Sequence, residues 1–364
     1  MSASSKDAGP TLLGVPMKWV SLLMLVAQTV SVVFAMRLSR TVQVDGLRYL
    51  NTTAVCCSEI VKFVCSFIFL AQEKRSIGSA ALAVKQHFTA NVTETLKVSV
   101  PGLLYTLQNN LLFVALSNLS GAVYQVTYQL KILTTALLSV MILGKTLGPT
   151  KWTALLTLTL GVTFIQMPRS AADAEDTPAP APATGNAAVG LIAVLSACVT
   201  SGLAGVYLEK ILKQTDASIW LRNIQLAFFG AVVGFGGAMV QDGNKIIADG
   251  FLQGYNGLVW TVIMLQAVGG LVVAAVLKYA DNILKCFGNA VSIIISCLLS
   301  GALLHEFEPD KLFVLGTMLV LLATTMYSIG VPQSLQMLWN RQLGDSFKSK
   351  VDDVAGAASP KAAV

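Results

Sequence analysis

The sequence predicts an all-α integral membrane protein of ten transmembrane helices arranged as two inverted five-helix repeats. Three observations carry that prediction. Of its 364 residues 54% are apolar and only 12% charged, about half the charged share of a soluble domain, so a water-facing surface could not be covered. The apolar residues fall into ten runs, each near the roughly 20 residues that a helix needs to cross a hydrocarbon core. A short motif in the fourth run returns in the ninth.

The runs lie at 17–36, 49–71, 95–117, 120–143, 150–168, 187–210, 218–240, 256–279, 283–304 and 311–331. The first, too long for a signal peptide and followed by many like it, reads as a retained helix. The third contains Pro101, and the eighth and ninth are joined by a very short link around Lys278 to Lys285. An even number of spans puts both termini on one side. On that side fall Lys6, Lys18, Lys74, Arg75, Lys85, Lys97, Lys145, Lys151, Lys210, Lys213, Arg341, Lys348, Lys350 and Lys361; only Arg37, Arg40, Arg48, Arg169, Lys245 and Lys311 fall opposite. The positive-inside rule then makes the termini cytosolic. The division is a cytosolic tail (1–16), a first repeat (17–168), a luminal linker (169–186), a second repeat (187–331) and a cytosolic tail (332–364). The linker's Ala171–Gly185 stretch is acidic and rich in Ala and Pro, a composition that buries nothing.

The net charge of +6 is spread through short loops, so topology explains it better than a nucleic-acid partner. The six cysteines sit in apolar runs and share no metal spacing with His87 or His305, which calls for neither a disulfide framework nor a metal, and for no cofactor. A membrane enzyme such as a glycosyltransferase would want carboxylates or a metal pair near the membrane face. The only luminal cluster of acids lies instead in the linker.

Ionisable groups inside a span cost about 2.5 kcal/mol or more and tend to face a cavity or a partner. Lys131 is mid-span in GAVYQVTYQLKILTTALLSVMIL with no acid within one turn, and Tyr124, Tyr128 and Lys131 share one helix face. Leu130-Lys131-Ile132-Leu133-Thr134-Thr135-Ala136 is echoed by Leu284-Lys285-Cys286-Phe287-Gly288-Asn289-Ala290. With five spans per repeat, equivalent helices run oppositely, as in many carriers whose site lies between the halves. Lys285 alone could pair with Asp281 four residues earlier; matched with Lys131 it is the second cation of one site suited to phosphates. Tyr105, Gln108, Asn109 and Asn110, then Ser201, Gly202, Gly205 and Tyr207, then Arg222, Asn223 and Gln225 are read equally well as ligand contacts or as interhelical glue. Glu59 and Lys62, three apart in the second span, read as a structural or gating pair rather than as ligand contacts.

The stretches RYLNTTAV, TLQNNLLFVALSNLSGAVYQVTYQLKILTTAL, SGLAGVYLEKILK, WLRNIQLAFFG and QAVGGLVVAAVLKYADNILK closely resemble the nucleotide-sugar transporter family of the drug/metabolite transporter superfamily, over roughly Met17 to Gly330. The resemblance implies ten helices in two inverted repeats, residence in the Golgi or endoplasmic reticulum, and exchange of a nucleotide sugar for a nucleoside monophosphate. It places nucleotide contacts at Tyr105, Asn109, Tyr124, Lys131, Ser201, Asn223 and Lys285. YQVTYQLKILTTAL is most similar to the carriers of UDP-N-acetylglucosamine and UDP-galactose. CMP-sialic acid carriers differ there, and they carry an aromatic residue where this chain has Ala227. The expected partners are a UDP-sugar, UMP, membrane lipid and glycosyltransferases, with the oligomeric state left open. A CMP-sialic acid exchanger, another organic-anion transporter of this fold, and a non-transporting scaffold for glycosyltransferases are the alternatives.

Overall fold

Within lipid a chain must satisfy its backbone internally, and runs this apolar therefore form helices. The computed structural model describes residues 10–12, 14–41, 47–90, 92–167, 186–214, 217–304 and 309–329. The linker Ala171–Gly185, most of both tails and His305 lie outside the described residues. The described chain is helical apart from a two-residue hairpin, β1 (Thr11–Leu12) against β2 (Val15–Pro16), where the N-terminal tail was expected.

The helices are α1 (Met17–Thr41), α2 (Asn51–Glu73), α3 (Ile77–Ala90), α4 (Val92–Asn118), α5 (Gly121–Tyr128), α6 (Lys131–Leu143), α7 (Pro149–Gln166), α8 (Ala187–Lys213), α9 (Ile219–Asp249), α10 (Gly257–Tyr279), α11 (Asn282–Leu304) and α12 (Lys311–Ile329). Eight helical stretches are long and apolar enough to cross a membrane: α1, α2, α5 with α6, and α8 to α12. The expected third and fifth spans, α4 and α7, are helical but less apolar. α4 carries Pro101, Gln108, Asn109 and Asn110 along its length, and α7, about 27 Å long, carries Lys151 and a series of threonines.

Three local features depart from the expected spans. The fourth span is broken at Gln129–Leu130 into α5 and α6, without glycine or proline at the break. The 14-residue α3, too short to span, fills the loop between the second and third spans. It packs Ala80, Val84 and Phe88 against Leu70 and Ile224. α9 runs to Asp249, nine residues past its expected end.

Large apolar side chains are exposed on several helices: Leu23 is 72% exposed, Met141 71%, Ile192 67% and Phe113 65%. Patches of that extent belong in hydrocarbon rather than water. Between helices the driving force is close packing, which favours small residues at crossings. A Cβ on Gly161 of α7 would sit 2.9 Å from the Gly316 carbonyl of α12, and one on Gly316 would sit 2.7 Å from the Gly161 carbonyl. Gly202 of α8 likewise lets α6 approach, its added Cβ falling 3.2 Å from Thr135 N.

Candidate functional site

The break in the fourth span places Lys131 at the first position of α6. The tight turn is closed by Leu130 N–H donating to the Thr127 carbonyl at 3.1 Å and Ile132 N–H to the Gln129 carbonyl at 3.0 Å. α8 covers it. The Cys198 thiol approaches the Tyr128 carbonyl at 3.6 Å, and Thr134 Oγ1 donates to the Cys198 carbonyl at 3.0 Å. Gln129 Nε2 donates to Gln166 Oε1 of α7 at 2.6 Å. Leu130 keeps helical backbone angles (φ −59°, ψ −16°) and the N–H groups of Leu130, Ile132 and Thr134 all donate to backbone carbonyls, so the positive charge at this place is the Lys131 ammonium and not a free helix end.

The Lys131 ammonium stands over the Tyr128 ring at 4.1 Å from its centroid, and Tyr128 stacks on Tyr124 at 5.7 Å with 12° between planes. A desolvated cation–π contact stabilises by about 2 kcal/mol, comparable to the cost of a mid-span cation. Tyr128 is held in turn: Gln108 Nε2 donates to its hydroxyl at 2.9 Å, Ser201 shares a hydrogen bond with it, and Tyr105 lies close by. Lys285, in the first turns of α11, is near enough for its charge to act on Lys131, with Cys286 beside both.

Asp281 does not take up Lys285. Its carboxylate accepts from Leu284 N–H at 2.7 Å, capping α11, and faces Lys145 at 3.6 Å. Among the described residues no carboxylate comes within ion-pair distance of Lys131 or Lys285. Two cations with no counterion among the described residues, beside stacked tyrosines, are a chemistry suited to an anionic ligand that carries an aromatic ring.

Tyr105, Tyr124, Tyr128, Lys131, Ser201 and Lys285 thus come together from five helices. Two expected residues stand differently. Asn223 of α9 is buried and donates to its own helix at the Ile219 carbonyl, 3.0 Å away. Asn109 is exposed on α4 and makes none of the contacts of this cluster. Glu59 and Lys62 pair at 2.5 Å where α2 meets α9 and α10, with Gly230 and Gly270 making room for them.

Sequence reasoning assigned nothing to Gln108 beyond its polarity, nor a role to Glu209, a fully buried acid of α8. An acid so close to the end of the sixth span was the available signal. A second polar chain was also missed: Arg222 Nη1 donates to Gln225 Oε1 at 2.9 Å, and Gln225 Nε2 to Thr95 Oγ1 at 2.8 Å, joining α9 to α4.

The family model described as nucleotide-sugar transporter matches residues 14–328. The chain is 51% identical over 312 residues to a UDP-N-acetylglucosamine transporter of Mus musculus, covering 85% of this chain and 95% of that one. It is 43% identical over 314 residues to a UDP-galactose translocator of Mus musculus, covering 86% and 78%. A solved crystal structure superposes with a TM-score of 0.60 at 12% identity over 86% of this chain and 96% of its own, a likeness of fold alone. With its matched region running from before α1 to the end of α12, the chain belongs to the nucleotide-sugar transporter family.

Proposed function

We propose that the protein is an alternating-access antiporter of the Golgi membrane, carrying UDP-N-acetylglucosamine, UDP-galactose or both into the lumen in exchange for UMP. The observation that carries this reading is the Lys131 ammonium, fixed over Tyr128 at a mid-span helix start with Lys285 of the other half beside it. Both ligands bring about two negative charges and an aromatic base at neutral pH. The lysines take the phosphates, Tyr124 holds the nucleoside, with Asn223 joining it once its amide leaves the Ile219 carbonyl, and the opposite wall admits the hexose. Transfer of the sugar in the lumen leaves the monophosphate that loads the carrier for its return, so glycosyltransferases are its functional partners. The relatives named above support the uridine donors.

Ten spans in two inverted repeats, with both termini cytosolic, belong to the same reading. Its support is the pairing of helices. Exchanging α1, α2, α4, α5–α6 and α7 for α8, α9, α10, α11 and α12 maps α4·α8 onto α10·α1, α6·α8 onto α11·α1 and α4·α9 onto α10·α2. The same exchange leaves α2·α9 and α7·α12 unchanged.

The test is uptake by purified protein in liposomes preloaded with UMP, challenged with a panel of labelled nucleotide sugars. Uptake of UDP-N-acetylglucosamine or UDP-galactose that depends on internal UMP is the expected result. Uptake confined to CMP-sialic acid, or no dependence on internal nucleotide, contradicts it.

A further inference from the structure

Glu209 of α8 is 0% exposed and satisfied on three sides. The Lys145 and Lys213 ammonium groups each lie 2.8 Å from Oε1, and the Asn282 N–H donates to Oε2 at 3.0 Å. Both lysines are shared. Lys145 also faces Asp281 at 3.6 Å, and Lys213 donates to the Ala280 carbonyl at 2.5 Å. Two cations and two anions therefore knot together the loop after α6, the last turns of α8 and the joint between α10 and α11. Gly205 makes the approach feasible, since a Cβ there would fall 2.9 Å from Asn282 Cγ.

Burying a carboxylate costs more than burying an apolar side chain of similar volume, so packing alone does not explain it. A contact that must close in one conformation and dissolve into water in another does. The place fits. Leu22 and Leu25 of α1 pack on Ala280 and Leu284, so the knot lies at the end of the molecule where α1 begins. It seals that end of the α6–α8 seam, one turn beyond the Lys285 site.

The equivalent seam of the other half, between α1 and α11, is open at the opposite end. A cavity of about 210 Å³ separates Thr29, Val33 and Phe34 from Ile293, Ser296 and Leu299, and the Ser296 hydroxyl is buried there without a hydrogen-bond partner. The shift that carries Lys131 onto Lys285 carries Lys145 onto Leu299. Where one seam has its ionic knot the other has a gap.

We propose that Glu209, with Lys145, Lys213 and Asp281, is the gate on the side where α1 begins, closed in this conformation, and that the α1–α11 gap is the opposite gate standing open. The proposal rests on the alternating-access reading above. Opening the knot frees the joint before α11, and closing the gap brings α11 onto α1 through Val33, Phe34, Ile293 and Leu299. One gate is ionic and the other apolar.

Cys286 reports on the space between the gates, since the charges of both site lysines act on its thiol. In the full chain with the other five cysteines replaced by serine, a membrane-impermeant maleimide is applied from the side where α1 begins. Labelling of the parent should be slow. Glu209→Gln and Lys145→Met should each raise the rate by about tenfold or more, because they leave a buried charge uncompensated in the closed form alone. Adding Ser296→Phe, which fills the gap and prevents its closure, should return the rate to the parent value. Parent-like labelling of both latch variants overturns the gate, and acceleration that Ser296→Phe leaves untouched overturns its coupling to the gap. Monodispersity in detergent qualifies each variant; should Glu209→Gln aggregate, Lys145→Met decides, its side chain being partly exposed. Labelling needs no nucleotide sugar, so failure of the transport reading appears separately, as absent uptake by a parent whose labelling pattern holds.

Discussion

In the two-repeat reading proposed above the starts of α6 and α11 are equivalent places, and they are held in opposite ways. α6 begins in mid-span, and its Lys131 is fixed by neutral groups: two stacked tyrosines, a glutamine, a serine and the thiol of Cys198. α11 begins at a joint tied by Asp281, Glu209, Lys145 and Lys213, and its Lys285 sits one turn beyond that ionic knot. The difference assigns the two cations different duties. In the proposed cycle Lys131 is an anchor set in an aromatic cradle, and Lys285 rides on the part of the molecule that moves.

The largest effect should come from the anchor. Lys131→Ala should reduce exchange to background while expression and membrane insertion persist, since truncating a buried charge contact costs about 2–5 kcal/mol and removing a mid-span cation eases insertion. Lys131→Arg should recover little, because a planar fork does not replace a compact ammonium. Wild-type uptake by either variant in UMP-loaded liposomes would erase the distinction between the lysines.

Lys285→Ala should cost less, about 1.5–3 kcal/mol of ligand stabilisation, read as weaker competition by UMP and slower exchange together. Equal losses at both lysines would show that the site treats the halves alike. Tyr128→Phe sharpens the comparison further. It keeps the ring under Lys131 but strands Gln108 and Ser201, so the affinity should fall by roughly 1 kcal/mol, about fivefold.

The smallest effect is in pH. A phosphate monoester loses its second proton near pH 6, so the dianionic share of UMP falls as the lumen is taken from pH 7.5 to 5.5. Inhibition by luminal UMP should weaken by about fourfold over that range, with UDP-sugar binding changing less. His87 does not confuse the reading: it sits on α3, at the far end of the bundle from the lumen in this topology. Burial and the charges of Arg222 and Lys74 hold it below its ordinary range. Inhibition constants for the two ligands that move in parallel would place the titrating group on the protein.

Much of this was legible in the sequence. Lys131 stood out because no acid lies within a turn of it, and the Leu-Lys motif found its counterpart at Lys285. The apolar runs marked most helices to within a few residues. The break at Gln129–Leu130 was hidden because neither residue disfavours helix; the partners that stabilise it, Cys198 and Gln166, are distant in sequence. Glu209 resembled an ordinary i,i+4 surface partner of Lys213, and only the arrival of Lys145 and Asn282 from elsewhere reveals it as buried. Asn223 and Asn109 were singled out by the family resemblance, whereas their present hydrogen bonds and exposure follow from helix rotation, which a single chain's periodicity does not fix.

The charge balance of the knot has an electrical consequence. A potential of 100 mV acts with about 2.3 kcal/mol on each elementary charge carried fully across a membrane. Lys145 and Lys213 cancel Glu209 and Asp281, and Glu59 cancels Lys62. Loaded with a dianion, Lys131 and Lys285 are cancelled as well. Such a carrier turns over without current, driven by the concentrations of its two ligands, while the empty form would have to drag two bare cations through the field.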